Sequence, residues 1–404
     1  MSSLNFSFLT VDMEISRKKL CTLILLFSSN FVVFYLFHGY LLEEILLNSF
    51  DVWIWVFIGK VLFYSFIVIS TLIGSLLSQK VERRKFLFFW ISLGVVTISI
   101  STISYGIMFT IFISILLGIS FGLGSPACFA YLADSTLIEE RGRVSGILVS
   151  LTFIMLPIII YLTSLFSVGL KELVYLSAIL KATSFSALLF DPYVRKTGRD
   201  RKWSTILTSK PFILYFLPWL MFQITNGILI FVEMESGKIF QYLAACSFAF
   251  LSGVMTDHYG RKQPLILGFI ALGLSYAFVG IDVTPFSWMV MMAISGIAWI
   301  FIMVSYMWTI LGDLAPPGSS EKYYAIGSII PILVEAIFNM LSGVLKITVK
   351  TSLVTPSLSV ILFVSVFPLL FAPETLPESK IRDKRFRNYV LKAKKLVEDA
   401  GNIE

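Results

Sequence analysis

Gly253-Val-Met-Thr-Asp257-His-Tyr-Gly260-Arg261-Lys262-Gln-Pro264 is a short polar turn set between two long apolar runs, residues 239–256 and 265–281. Glycine permits close packing of helices and a positive φ. A carboxylate can meet the positive end of a neighbouring helix dipole, and lysine or arginine resists translocation through a bilayer. Such a turn belongs between two membrane helices, on the side that stays in the cytoplasm.

The whole chain carries the same signature. Of its 404 residues 57% are hydrophobic and 14% charged, with a mean hydropathy of +0.86. These values exclude a water-soluble domain and indicate a polytopic membrane protein. A spanning helix needs about 20 mostly apolar residues. The sequence predicts twelve of them, at 20–42, 52–77, 86–104, 107–133, 144–166, 172–190, 212–232, 239–256, 265–281, 286–311, 324–345 and 353–372. The join near Tyr105 and Gly106 is the least sharply marked. The first run, after Arg17, Lys18 and Lys19, is longer than a signal-peptide core and lacks a small-residue cleavage site, so it reads as a spanning helix.

Of the 32 lysines and arginines, 26 fall on the side of the N-terminus and 4 in the opposite loops, while Lys60 and Lys181 lie within helices. The positive-inside rule then places both termini in the cytoplasm. The net charge of +7 therefore reports topology, not a nucleic-acid partner. Cys21, Cys128 and Cys246 lie in or beside apolar runs without paired spacing, which supports neither a disulfide framework nor a zinc site.

A polar connection bearing Arg195, Lys196, Arg199, Arg201 and Lys202 divides the chain into a bundle at 1–190, a linker at 191–211, a second bundle at 212–372 and a basic tail at 373–404. The halves echo each other. The segment from Gly74 to Lys85 follows the second helix as the segment from Gly253 follows the eighth, at an offset of 179 residues. The earlier copy has Ser78 where the acid belongs and no glycine matching Gly260, and only Arg83 and Arg84 carry over. Repeated six-helix halves point to a transporter. In the tail, Phe386, Tyr389, Val390, Ala393, Leu396 and Val397 fall at helical spacing among basic residues, suiting either a helix on the inner leaflet or a solvated one.

The opening turn resembles the signature loop of the major facilitator superfamily. Three further segments carry the resemblance over nearly the whole chain: Asp134 seven residues before Arg141, Trp308 five residues before Asp313, and Pro373-Glu374-Thr375. They are similar to the cytoplasmic acid and arginine network of the sugar-porter and metabolite-proton symporter branch. The resemblance implies an all-α fold of twelve helices in two pseudo-repeats, with helices close at Gly253, Asp257 at a helix end and a tight reversal at Gly260. Asp134, Arg141, Gly253, Asp257, Gly260, Arg261, Asp313 and Glu374 would then form a gate that clamps the halves together when the cavity faces outward. The basic partner expected seven residues after Asp313 is replaced by Ser320, with Lys322 nearby.

Polar groups within the bilayer are the candidates for solute and coupling ion. Phe222-Gln223-Ile-Thr225-Asn226-Gly227-Ile228 looks like a worn form of a sugar-porter helix; Gln223 and Asn226 would bind a polar solute or bond neighbouring helices. Trp308 would stack on a solute, seal the inner end of the cavity, or simply pack. Glu335 and Asn339 lie one turn apart near mid-membrane, where a carboxylate suits reversible protonation or a pair with a cation on another helix. His38 is either a coupling residue or a structural one. Lys181, on a helix that is usually peripheral in this fold, is expected to pack or snorkel, as is Lys60.

With only His38 and His258, there is no paired-histidine metal motif, and no Gly-rich phosphate loop. A membrane enzyme is disfavoured and no cofactor is expected. The fifth helix, around Gly146 to Pro157, lacks a Gly-Pro-rich antiporter motif. The chain is expected to be a monomeric cell-membrane secondary transporter. Its partners would be the lipid bilayer, a sugar or related small polar metabolite, and protons in symport. Uniport, organic acid or ion transport, and solute sensing are the alternatives.

Overall fold

In hydrocarbon every backbone N–H and C=O must find a partner within its own segment, so long apolar runs become helices. A computed structural model describes residues 13–50, 52–103, 106–190, 200–232, 238–281, 284–345 and 349–377. Ten helices are long and apolar enough to cross a membrane. In chain order they are α1 (Arg17–Ser49), α2 (Trp53–Lys80), α4 (Ile107–Ser135), α5 (Arg141–Leu165), α7 (Lys210–Phe231), α8 (Ile239–His258), α9 (Lys262–Ile281), α10 (Pro285–Leu314), α11 (Ser320–Leu345) and α12 (Thr351–Phe371). Between them stand α3 (Arg83–Ile100) and α6 (Leu170–Ala187), each of 18 residues. Their charges, Arg83, Arg84 and Lys85 on α3 and Lys171, Glu172 and Lys181 on α6, set them apart from the other ten. A short helix, Trp203–Leu207, lies in the connection to α7. The basic tail beyond Pro377 and the linker arginines Arg195 and Arg199 lie outside the described residues.

The packing of the first six helices recurs in the last six. The pairs α1 with α6, α1 with α5, α2 with α4 and α3 with α6 are matched by α7 with α12, α7 with α11, α8 with α10 and α9 with α12. The two sets are joined chiefly by α5 against α8 and α2 against α11, with α4 against α11 and α5 against α10 adding to them.

Two helices are interrupted where they face the centre. α1 widens into a π-type turn at Phe37–Leu41 and α10 at Val304–Ile310, a local irregularity common at functional sites. His38 lies in the first and Trp308 in the second. The uncertain join resolves into a break between α3 and α4, where Gly106 takes φ +91°, a conformation open to glycine. α5 begins at Arg141, three residues before the expected start at 144. That shift puts the N–H groups of its first turn at the interface with α8.

Candidate functional site

The polar turn that opens α9 lies at the centre of a buried charged layer at one end of the bundle. Asp257, at the end of α8, accepts hydrogen bonds from the backbone N–H groups of Gly142 and Arg143, both at 2.8 Å. These are orphan donors in the first turn of α5, so the carboxylate meets the positive end of that helix. Asp257 also pairs with Arg143 Nε at 3.2 Å and Arg261 Nη1 at 2.6 Å. Asp313, at the end of α10, accepts from Arg141, from Arg261 Nε at 2.8 Å and from Thr375 Oγ1 at 3.2 Å. Arg83 pairs with Asp134 at 2.8 Å and Glu321 at 3.0 Å. Glu374 accepts the N–H groups of Arg261 and Lys262, at 2.9 and 3.2 Å, capping the start of α9.

Burial opposes the charge on Arg261, but Asp313 and Asp257 outweigh it and raise its proton affinity above the ordinary arginine value. Arg141 with Asp313, Arg143 with Asp257 and Arg83 with Glu321 join the first six helices to the last six.

Glycines permit this approach. A Cβ on Gly142 would fall 2.6 Å from the Gly253 carbonyl oxygen, and one on Gly146 2.7 Å from that of Ala249. Gly260 adopts φ +98°, and a Cβ there would lie 2.5 Å from a Glu374 carboxylate oxygen.

Beyond the charged layer is a cavity of about 790 Å³, lined by both halves of the chain. Its floor is aromatic. Trp308 packs against Phe27, Phe31 and Phe129, with ring centroids 4.9, 5.6 and 5.1 Å away. Away from the charged layer the lining reaches Gly39 and Glu43, both exposed. On the wall His38 Nε2 lies 2.8 Å from Glu335 Oε1, joining α1 to α11. The histidine ring stacks on Phe34 at 5.4 Å, and its Nδ1 is 3.4 Å from the Tyr64 hydroxyl. Lys60 pairs with Glu43 at 3.0 Å. Gln223, Asn226 and Asn339 also line the space. The Asn339 amide donates to the Glu335 carbonyl oxygen of its own helix at 3.0 Å. No group of metal-binding side chains occurs among the described residues.

The family model of the Major Facilitator Superfamily matches residues 20–330. The chain belongs to this superfamily. It is accordingly a multi-pass membrane protein and a secondary transporter, not an enzyme. Superfamily structures share its fold. The human organic anion transporter MFSD10 (TETRAN) superposes with a TM-score of 0.70 at 12% identity, covering 87% of this chain and 99% of that one. The proton:xylose symporter XylE, bound to 6-bromo-6-deoxy-D-glucose, gives 0.68 at 14% identity, covering 89% and 95%. No curated protein sequence matches the chain significantly.

The residues singled out from the superfamily's motifs and from the polar groups within the apolar runs fall into two places. Asp134, Arg141, Gly253, Asp257, Gly260, Arg261, Asp313 and Glu374 are in the charged layer, and Gln223, Asn226, Trp308, Asn339, Glu335 and His38 line the cavity. Lys322, looked to as a partner for Asp313, instead binds Asp200 at 2.7 Å.

Of the two expectations for Lys181, packing holds and snorkelling does not. The side chain is fully buried, because α6 packs on α1 and α3 and aims it inward. It lines the cavity and donates to Asn30. Asn30 carries no motif and was not singled out. Lys60, too, points to a partner, Glu43. The degenerate first copy of the turn is also better connected than its sequence suggests. Arg83 reaches the acid ending α4 as Arg261 reaches the acid ending α10. The sequence offset pairs Arg83 with Lys262, because the first copy is one residue longer.

Proposed function

We propose that the protein moves a small polar organic metabolite, of the size and character of a sugar, across the cell membrane by alternating access in symport with protons. It works as a monomer with both termini cytoplasmic. The charged layer is its cytoplasmic gate. Asp134, Arg141, Asp257, Arg261, Asp313 and Glu374 hold it shut, and Gly253 and Gly260 allow the close approach and the turn.

The observation that carries this reading is the His38 to Glu335 pair, which spans the two halves across a cavity that the charged layer and Trp308 close at one end. Polar groups are costly at that depth and are kept for function. Protonation of Glu335 removes the charge that draws His38, so proton binding and the separation of the halves become linked. Gln223, Asn226 and Asn339 offer amide donors and acceptors to solute hydroxyls, and Trp308 offers a ring face.

Uptake of a panel of labelled solutes into proteoliposomes, with and without an imposed pH gradient, tests the proposal. The expected result is uptake of at least one solute, accelerated when the proton gradient runs in the direction of uptake, and loss of that acceleration in Glu335→Gln. Uptake indifferent to the gradient would exclude proton coupling, and solute binding without flux would indicate a sensor.

A further inference from the structure

Resting on the reading of the cavity as the solute site, we propose that Lys181, oriented by Asn30, is a carboxylate handle. Within the class of small polar metabolites proposed above, the transported solute is then an organic acid anion with a sugar-like, hydroxyl-bearing body, in preference to its neutral counterpart.

Lys181 is fully buried, and yet it lines the cavity. Its ammonium donates to Asn30 Oδ1. The Asn30 amide nitrogen is bonded to the Leu26 carbonyl at 2.5 Å and to Ser184 Oγ at 2.9 Å, which fixes its oxygen toward the lysine. The ammonium also lies 3.9 Å from the centroid of the Trp90 ring, in cation–π contact. Gly94 leaves room for the stem, since a Cβ there would lie 2.5 Å from Lys181 Cε. The side chain is therefore held, not loosely packed.

What this arrangement lacks is an anion. The other charged groups of the lining are matched, Lys60 with Glu43 and His38 with Glu335. No carboxylate lies within ion-pair distance of Lys181 among the described residues, and its fixed partner is a neutral amide. A buried charge without a counter-charge is costly, and an ammonium has three donors to place. A lysine kept only for packing would be better served by an aspartate at position 30. A solute carboxylate entering the cavity supplies the missing charge and accepts the remaining donors, while Gln223 and Asn226 are available to its hydroxyls.

The test uses the purified full chain in detergent or nanodiscs, with intrinsic tryptophan fluorescence as readout because Trp90 and Trp308 border the site. The probes are matched pairs differing in charge: acetate against acetamide, lactate against lactamide, gluconate against glucose. The expected result is at least tenfold tighter binding of one or more acids than of their neutral partners, a preference lost in Lys181→Gln. Asn30→Asp supplies an internal counter-charge. It should abolish the preference while raising the melting temperature, so it serves even if Lys181→Gln does not fold. Equal binding of acids and neutral partners, no binding of any acid, or an acid preference surviving both substitutions would overturn the proposal. Gradient-driven transport of a neutral solute, unchanged in Lys181→Gln, would overturn it and leave the transporter reading standing.

Discussion

Asp257→Asn tests whether the charged layer sets the balance between two conformations. In the closed layer, one Asp257 oxygen accepts from the Gly142 N–H and the other from the Arg143 N–H, both at 2.8 Å, with Arg143 Nε at 3.2 Å. Arg261 is four residues away in the same half and would stay with residue 257 if the halves parted. Only the α5 contacts therefore distinguish closed from open. Asparagine keeps one acceptor, turns an NH2 toward the second N–H, and removes the charge from the helix terminus. With the amide oxygen kept on Arg143 and the NH2 facing the Gly142 N–H, the loss is one hydrogen bond to a charged group, about 1.5 to 3 kcal/mol, and a helix-terminus interaction of about 0.3 to 1 kcal/mol. Together these give about 2 to 4 kcal/mol, which moves the equilibrium toward opening by roughly 30- to 700-fold at 1.4 kcal/mol per decade. Spin labels at Leu137 and Tyr259, both exposed beside the layer, would report it by pulsed electron resonance in nanodiscs. The substitution should add a population at longer distance, with helix content and melting temperature retained. An unchanged distance distribution in a folded protein would refute the reasoning.

Gly253→Ala should act in the same direction without changing any charge, because the new methyl would press on the Gly142 backbone; the same label pair should report a longer distance, and no change would mean that the backbones have room. Glu335→Gln should abolish acceleration of uptake by a proton gradient while leaving solute counterflow intact, measured side by side in proteoliposomes. Trp308→Ala should open the cavity floor. Removal of a buried tryptophan costs about 3 to 5 kcal/mol, so buried Cys128, beside Phe129, should react with a water-soluble thiol reagent at least tenfold faster in a variant lacking Cys21 and Cys246.

The charged layer was largely legible in the sequence because its chemistry is local to short segments. An acid, a glycine and an arginine at fixed spacing mark Asp257, Gly260 and Arg261, and the same holds for Asp134 with Arg141. The partners of Asp257 on α5 were not legible. They are backbone N–H groups, and which helix offers them depends on where α5 starts and on its contact with α8. Helix existence followed from apolar length, but the wide turns that carry His38 and Trp308 left no mark in composition. Lys181 was left between packing and snorkelling for a related reason. A lysine in an apolar run looks the same whether its helix faces lipid or the centre, and only the packing of α6 on α1 and α3 distinguishes them. Arg83 was obscured by one extra residue in the first turn, which shifts the repeat just where its charge matters.

In the ion pairs that join the halves, the charges are sorted by sign. Among the pairs described above, the first half brings Arg83, Arg141 and Arg143 together with Asp134, and the second brings Asp257, Asp313 and Glu321 together with Arg261. Among these groups each side therefore carries a net charge when apart, and the two charges offset each other when joined. Breaking one buried pair in place costs about 3 to 5 kcal/mol because a charge is left stranded. Parting the whole rim strands none of them, since every group regains water together. That difference would let many strong local contacts coexist with two conformations of similar free energy, as the proposed alternating access requires. At the far side of the cavity, the pair of His38 with Glu335 also joins the two halves, and under the proposed proton coupling it would bias the balance by gaining or losing one proton.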